Sequence, residues 1–350
     1  MNGVPVRLAI AGVGNCASVF LQGLEFYSGK QSGGLWHPVV GGMRPRDIEV
    51  VAAFDIDARK VGRDLTDAMF QSPNVARRYL KVPRAGTKVA PGVSKGDDAP
   101  HLKGARLLRS SRDDVSSALS KSGAQMLVNM ISSGSDASSS EYAFAAADAG
   151  CAYVNCTPSL VLKIPKVASA FARAKLPLVG DDLMSQFGGT VFHKGLLGLM
   201  VRRGVKISKS YQLDVGGGSE TLNTIDEDIK MAKRQVKTSS VSSEVPYKFE
   251  TVAGTTDYVD YMGNERTSYF WFEGSGFMNS GTSVDVYLRS FDGANAGNVL
   301  FDVVRATSRV MKTGKLASVQ DICAYGFKSP PKRVGFEPAY NAFVKSFIGN

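Results

Sequence analysis

An apolar run that ends in a glycine turn limits what this chain can fold into. Val6-Arg7-Leu8-Ala9-Ile10-Ala11 has the composition of a buried strand, and Gly12-Val13-Gly14-Asn15-Cys16-Ala17 follows it directly. This G-x-G-x-x-A pattern opens onto residues 18–25, which read as a helix. The first glycine permits the tight turn, the second lets a phosphate approach the backbone, and the small third residue lets helix and strand close up. The helix start adds unpaired N–H groups and partial positive charge. A second apolar strand, residues 48–54, ends at Asp55, where a carboxylate can hold ribose hydroxyls. These features predict a nicotinamide dinucleotide site built on Gly12, Val13, Gly14, Asn15, Cys16 and Asp55.

Strands then alternate with helices. Residues 124–131 read as a buried strand ending in Ser132-Ser133-Gly134-Ser135, residues 152–156 as a strand with a polar tip, and residues 176–179 as a strand ending in Gly180-Asp181-Asp182. Helical stretches at 138–149 and 165–174 separate them. Such alternation predicts an α/β fold, a doubly wound parallel sheet of the Rossmann kind, with ligands bound beyond the strand C-termini. Gly12, Asp55, Ser132, Asn155 and Asp181 then share one rim, and Ser133 and Ser135 join them as expected cofactor contacts. Residues 58–70 read as a helix and 82–102, rich in Pro, Gly and Lys, as a long surface loop. The Gly- and Ser-rich residues 28–36 are expected to cover the cofactor or to join a subunit contact.

The character changes after Asp182. Residues 206–289 carry strands of aromatic and β-branched residues, among them the alternating Ser283-Val284-Asp285-Val286-Tyr287-Leu288-Arg289, which fit a mostly antiparallel sheet with one wetter face. Residues 297–312 read as a helix that leads a basic tail back to the first domain. The expected organisation is a dinucleotide-binding domain at 1–182, an inserted α+β catalytic and oligomerisation domain at 183–296, and a returning segment at 297–350. The run Tyr269-Phe270-Trp271-Phe272 reads as sheet core or subunit interface.

The chain is 43% hydrophobic and 21% charged, ordinary values for a folded globular protein. Its net charge of +10 is scattered, with no basic stripe interleaved with aromatics, which argues against a nucleic-acid partner. Cys16, Cys151, Cys156 and Cys323 lack the spacing of a disulfide framework or a zinc site and read as reduced thiols. No signal-like start and no apolar stretch of about twenty residues occurs, so a cytoplasmic protein without a membrane partner is expected. His37, His101 and His193 are too few and too dispersed to predict a metal site or a triad, and His193 reads as packing.

Four motifs carry a resemblance. Gly12-Val13-Gly14-Asn15-Cys16-Ala17-Ser18, Asn155-Cys156-Thr157-Pro158, the segment from Gly180-Asp181-Asp182 to Gly188-Gly189-Thr190, and Tyr325-Gly326-Phe327-Lys328-Ser329-Pro330-Pro331 resemble, in order, the shorter prokaryotic-type inositol-1-phosphate synthases. The resemblance implies a homotetrameric isomerase of inositol and phospholipid biosynthesis that converts glucose 6-phosphate to inositol 1-phosphate with bound NAD as a catalyst. Hydride leaves C5, the ketone acidifies C6, the enolate attacks the C1 aldehyde, and the hydride returns. Negative charge on the C5 and C1 oxygens calls for fixed cations. By resemblance these are Lys233 and Lys237, which share one face if helical, and Lys328, with Asp182 and Asp292 as orienting acids. Thr157 joins the cofactor contacts. The sugar phosphate is expected on Ser185, Gln186, Gly188, Gly189 and Thr190, with Lys237 as counter-charge. Some members of the family use a mono- or divalent cation; no ligand cluster here points to one, and the metal stays open.

The chain departs from the family at catalytic positions. Met184 stands where a lysine is usual, Gly216-Gly217-Gly218-Ser219-Glu220 where Gly-Gly-Asn-x-Asp is usual, and Arg266 at the expected position of a further catalytic lysine. Arginine keeps the charge, but its pKa above about 12 removes it as a proton shuttle. Three alternatives therefore stay beside the synthase: a relative that cyclises another sugar phosphate, a plain NAD-dependent dehydrogenase, and a non-catalytic NAD-binding protein.

Overall fold

The computed structural model describes residues 5–29 and 31–349. Seven strands form the first sheet: β1 (Val6–Ala11), β2 (Ile48–Asp55), β3 (Val89–Val93), β4 (Arg109–Ser110), β5 (Met126–Asn129), β6 (Ala152–Asn155) and β7 (Leu178–Val179). All its pairs are parallel, in the order β4-β3-β2-β1-β5-β6-β7. The direction of winding reverses between β1 and β5, where a doubly wound sheet opens its crevice. Helices α1 (Asn15–Phe26), α2 (Leu65–Ala68), α3 (Arg112–Ser122), α4 (Asp136–Asp148) and α5 (Pro165–Ala174) accompany these strands. Alternation along β1 supplies two cores. Leu8 and Ile10 pack into one with Phe20, while Ala9 and Ala11 pack into the other with Tyr142 and Val115.

The second sheet contains β8 (Lys206–Gly216), β9 (Glu250–Tyr258), β10 (Glu265–Ser275) and β11 (Gly281–Phe291), in the order β11-β10-β8-β9. Helices α6 (Gly189–Arg202), α7 (Ser219–Leu222) and α8 (Glu227–Ser242) lie among them. Leu197 of α6 and Val241 of α8 meet Phe270 and Phe272 on one face. The β8–β9 pair is parallel because α8 crosses between them; the other pairs are antiparallel. The opposite face carries Tyr211 against Trp271 and Tyr269 against Tyr287, the last 66% exposed. Helices α9 (Asp292–Thr313), α10 (Val319–Gly326) and α11 (Phe336–Phe347) return to the first sheet, with Leu300, Val303, Ile322 and Phe343 in the same core as Leu8 and Phe20. No helix among the described residues is long and apolar enough to cross a membrane.

Two local expectations need correction, and a third segment finds its place. Within 82–102 the chain forms β3, whose Pro91 and Gly92 hide it from propensity; Gly92 is needed because any Cβ there would meet the Tyr142 hydroxyl. Of 58–70 only α2 is an α-helix. Asp57 caps a turn before it, Gly62 takes φ +83°, and Asp64 starts the helix late as the N-cap of α2. The stretch 28–36, of which Lys30 lies outside the described residues, docks on α9: Asn298 accepts from Trp36 N–H at 3.1 Å and donates to the Gly34 carbonyl at 2.8 Å.

Candidate active site

The glycine turn is fixed by what surrounds it. Gly12 has φ +88°, and a Cβ there would lie 2.6 Å from the Met130 carbonyl oxygen of the neighbouring strand connection. Gly14 has nothing within 4 Å of its would-be Cβ and caps α1 without a side-chain acceptor, so the first N–H groups of that helix are open to a ligand. Asp55 accepts from Val13 N–H at 2.8 Å and lies 3.5 Å from the buried Lys60 ammonium. A cavity of about 70 Å³ is walled by Gly12, Gly14, Asp55, Ser132 and Ser135.

The structure does not bring every rim residue to that wall. Asn155 and Asp181 are buried, and Asn155 donates to Asp181 at 2.7 Å while Asp181 also accepts from Leu162 N–H at 3.1 Å. Burial pushes Asp181 up to about 7 despite these donors. Polar residues at a strand tip can satisfy neighbouring loops as readily as a ligand. Ser133 turns to the second cavity, where its N–H and hydroxyl donate to Glu220 at 3.1 and 2.9 Å.

That cavity, about 220 Å³, adjoins the first across Met130 and Ile131 and is lined also by Asn15, Cys16 and Thr157. Four cation–carboxylate pairs line it, each bridging distant sequence. Lys328 lies 2.6 Å from Asp182, Lys237 2.7 Å from Asp214, Lys233 2.9 Å from Glu220 and Arg266 2.5 Å from Asp292. α8 turns Lys233 and Lys237 to the same side, as the four-residue spacing requires. Lys328 is held further by the Leu183 carbonyl at 3.2 Å. Arg266 reaches toward Asp214 at 3.7 Å, and its buried Nε has no partner.

Asp214 escaped the sequence reading. It is 1% exposed and accepts from Ser268 at 2.6 Å and from the Gln212 amide at 2.8 and 3.0 Å, besides Lys237. The signal was present: in β8 the inward positions Ser210, Gln212 and Asp214 are polar, and polar residues on a buried strand face need partners or a purpose. Burial opposes the Asp214 charge, yet Lys237 and Arg266 outweigh it and hold the carboxyl well below its usual range. Lys237 is lowered by burial, then by Arg266, against the pull of Asp214. Glu220, half exposed, loses some solvation at the cavity rim, and Lys233 and Ser133 overcome that, leaving it at about 2. Cys16 is pushed up to about 12, first by burial and then by Glu220, so it is a thiol at neutral pH.

The segment after the paired acids divides. Ser185, Gly189 and Thr190 line the cavity, and Gly188 caps α6 without a side-chain acceptor, leaving the first N–H groups of α6 available. A Cβ at Gly188 would strike Ser185 and one at Gly189 would strike Gln212. Gln186 points elsewhere, accepting from Asn298 at 2.6 Å. Met184 is buried, and no wall of the cavity includes it. Near Gly218, Asn264 and Asn15 come within 3.6 and 3.8 Å of where a side chain would begin, placing amides beside the position that lacks one. Among the described residues no group of three His, Cys, Asp or Glu side chains is placed to hold a metal.

A family profile described as myo-inositol-1-phosphate synthase matches residues 188–293. The inositol-3-phosphate synthase of Corynebacterium glutamicum is 35% identical over 348 residues, covering 95% of this chain and 96% of that protein. That of Mycobacterium tuberculosis is 35% identical over 352 residues, covering 98% and 96%. A myo-inositol-1-phosphate synthase-related protein from Thermotoga maritima, 20% identical, shares the fold with a TM-score of 0.79 over 97% of this chain and 98% of its own. With curated relatives this similar along nearly its whole length, the chain belongs to the inositol-1-phosphate synthase family, enzymes of the isomerase type.

Proposed function

We propose that the chain is an NAD-dependent isomerase that cyclises glucose 6-phosphate to inositol 1-phosphate. The observation that carries this reading is the ring of four cation–carboxylate pairs around one cavity that adjoins the glycine turn. The open N–H groups of α1, the clash that excludes any Cβ at Gly12, and the Asp55 carboxylate fit a dinucleotide. Gly12, Val13, Gly14, Asn15, Cys16, Asp55, Ser132, Ser135 and Thr157 are proposed to hold it. Bound there, NAD would supply a hydride acceptor for the sugar's C5 alcohol and, as NADH, the donor that returns that hydride.

The chain's own residues do the rest. Lys328 and Lys237, each held by a carboxylate, stabilise the anion on the sugar oxygens and hand protons to and from it. Lys233, tied to Glu220, bridges α8 to the Ser133 connection beside the cofactor crevice. Arg266 supplies fixed charge only, its proton being unavailable at neutral pH. Because the four cations are matched by four carboxylates, the substrate phosphate relies on the uncapped start of α6 and on Ser185 and Thr190 for its donors. Pairing also leaves the cations desolvated and fixed before the substrate arrives.

Purified protein with catalytic NAD and glucose 6-phosphate, followed by phosphorus NMR, is expected to yield inositol phosphate with no net NADH. NADH equal to substrate consumed would make it a dehydrogenase. A second reading, cyclisation of a different sugar phosphate, is favoured by Arg266 in place of a proton-donating lysine at the cavity wall; turnover of a ketose phosphate in place of glucose 6-phosphate would establish it. The outward aromatic face of the second sheet supports a homotetramer, to be read by light scattering, and four free cysteines suit the reducing cytoplasm.

A further inference from the structure

A buried hydrogen-bonded chain ends on Asp214, starts at the cavity wall with Gln212 and runs back from it. The Gln212 amide spans both Asp214 oxygens. An amide oxygen facing a carboxylate would be repelled, so the NH₂ group faces Asp214 and Oε1 faces His193 Nδ1 at 3.3 Å. Nδ1 therefore carries the proton, and Nε2 accepts from the Ser210 hydroxyl at 2.9 Å, which in turn accepts from Thr251 at 2.8 Å. His193, Gln212 and Ser210 are all less than 5% exposed, and His193 is wedged edge-on against Phe270 and Phe272. Burial lowers the imidazole to about 4, which keeps it neutral and preserves this single tautomer.

We propose that His193 and Gln212 are positioning residues: through the direction of their hydrogen bonds they fix the Asp214 carboxylate against Lys237, and so set the state of the lysine at the cavity wall. This rests on the proposed role of Lys237 as a proton carrier. The groups facing Asp214 are Lys237 from α8 and Arg266 and Ser268 from β10; those facing Lys237 are Asp214, Arg266 and Lys233. Without Gln212 holding both oxygens, Asp214 can turn away from Lys237, and an ammonium buried without an aligned carboxylate loses its proton at lower pH.

The test uses full-length His193→Phe, His193→Gln, Gln212→Leu and wild type. In the His193→Phe protein kcat is expected to fall at least about tenfold with KM and NAD affinity nearly unchanged; in Gln212→Leu, whose side chain also lines the cavity, kcat falls similarly and KM can move with it. In both, the alkaline limb of the kcat profile is expected to move down by about one pH unit. His193→Gln, which can donate to Gln212 and accept from Ser210, restores both. Nitrogen-15 NMR of wild-type histidine is expected to show His193 protonated at Nδ1 alone, and lysine NMR to show the Lys237 titration moving down in the Gln212→Leu protein. An Nε2–H tautomer, or a Lys237 titration and pH profile unmoved in folded variants, overturns the proposal. If wild type turns over no sugar phosphate, the two NMR readings still decide it, separately from the functional reading.

Discussion

The two sheets contribute to the site by different physics. At the end of the first, the donors are backbone groups: the start of α1 and the turn at Gly12 and Gly14. Around the second, the work falls to side chains: Lys237, Asp214, Arg266 and Ser268 come from α8, β8 and β10 and converge on one carboxylate. Backbone donors are written in a short contiguous motif, so a few neighbouring residues suffice. Side-chain pairs are written nowhere in particular, since the partners lie between 13 and 146 residues apart. The first design needs only its own short motif, and the second needs distant partners such as Arg266 and Asp292 to be brought together by the fold.

Lys237→Ala should break the side-chain half most completely. It removes the proposed proton carrier and leaves Asp214 buried with only Arg266 at 3.7 Å for charge, so kcat is expected to fall by at least about 10³-fold while NAD still binds. Phosphorus NMR and a cofactor-fluorescence titration check the two parts. Retained turnover removes Lys237 from the mechanism.

Two glycine variants separate stability from binding in the backbone half. Gly12→Ala forces a methyl toward the Met130 carbonyl at a φ of +88°, and is expected to cost about 2 kcal/mol or more of stability along with cofactor binding. Gly14→Ala meets empty space, so its melting temperature should stay within about 2 °C of wild type while NAD affinity drops about tenfold, the methyl occupying the phosphate's approach. Equal loss of stability in both would show that the turn is held by something other than the Met130 contact.

Glu220→Gln gives the smallest expected change and probes the joint between the halves. Its carboxylate accepts from Ser133 beside the first sheet and from Lys233 of α8. The folded-state pKa is depressed from 4.5 to about 2, so its stabilisation is fully present above pH 4.5 and is lost as the pH falls through about 2. Its side chain is 47% exposed, which limits the effect to about 1 kcal/mol or less. Denaturant unfolding of wild type and the Glu220→Gln protein should therefore differ at neutral pH and converge toward pH 2. A constant difference would mean that the carboxylate's charge contributes nothing.

Much of this was legible in advance. Strand, turn and helix at 6–26 and the alternation along β10 and β11 follow from local pattern, because period and capping are properties of adjacent residues; the helix carrying Lys233 and Lys237 entered only as a condition on their shared face. β3 was not legible, since Pro91 and Gly92 argue against a strand until Tyr142 is packed over them. Gln186 was expected at the phosphate, but Asn298 of α9 draws its amide away. Asp214 showed only as an inward polar position of β8, with nothing nearby in the chain to name its partner.

The sequence by itself determined the doubly wound sheet and the glycine turn at its switch point, because each depends on short-range periodicity or on a residue type that no neighbour can replace; the cations Lys233, Lys237, Arg266 and Lys328 were indicated only by the resemblance. Only the tertiary structure decided which carboxylate holds which cation, and that Asn155 and Asp181 serve neighbouring loops while Asp214 serves the cavity. A charge is placed by its own residue; its strength and protonation depend on burial and on partners that the chain brings together only after folding.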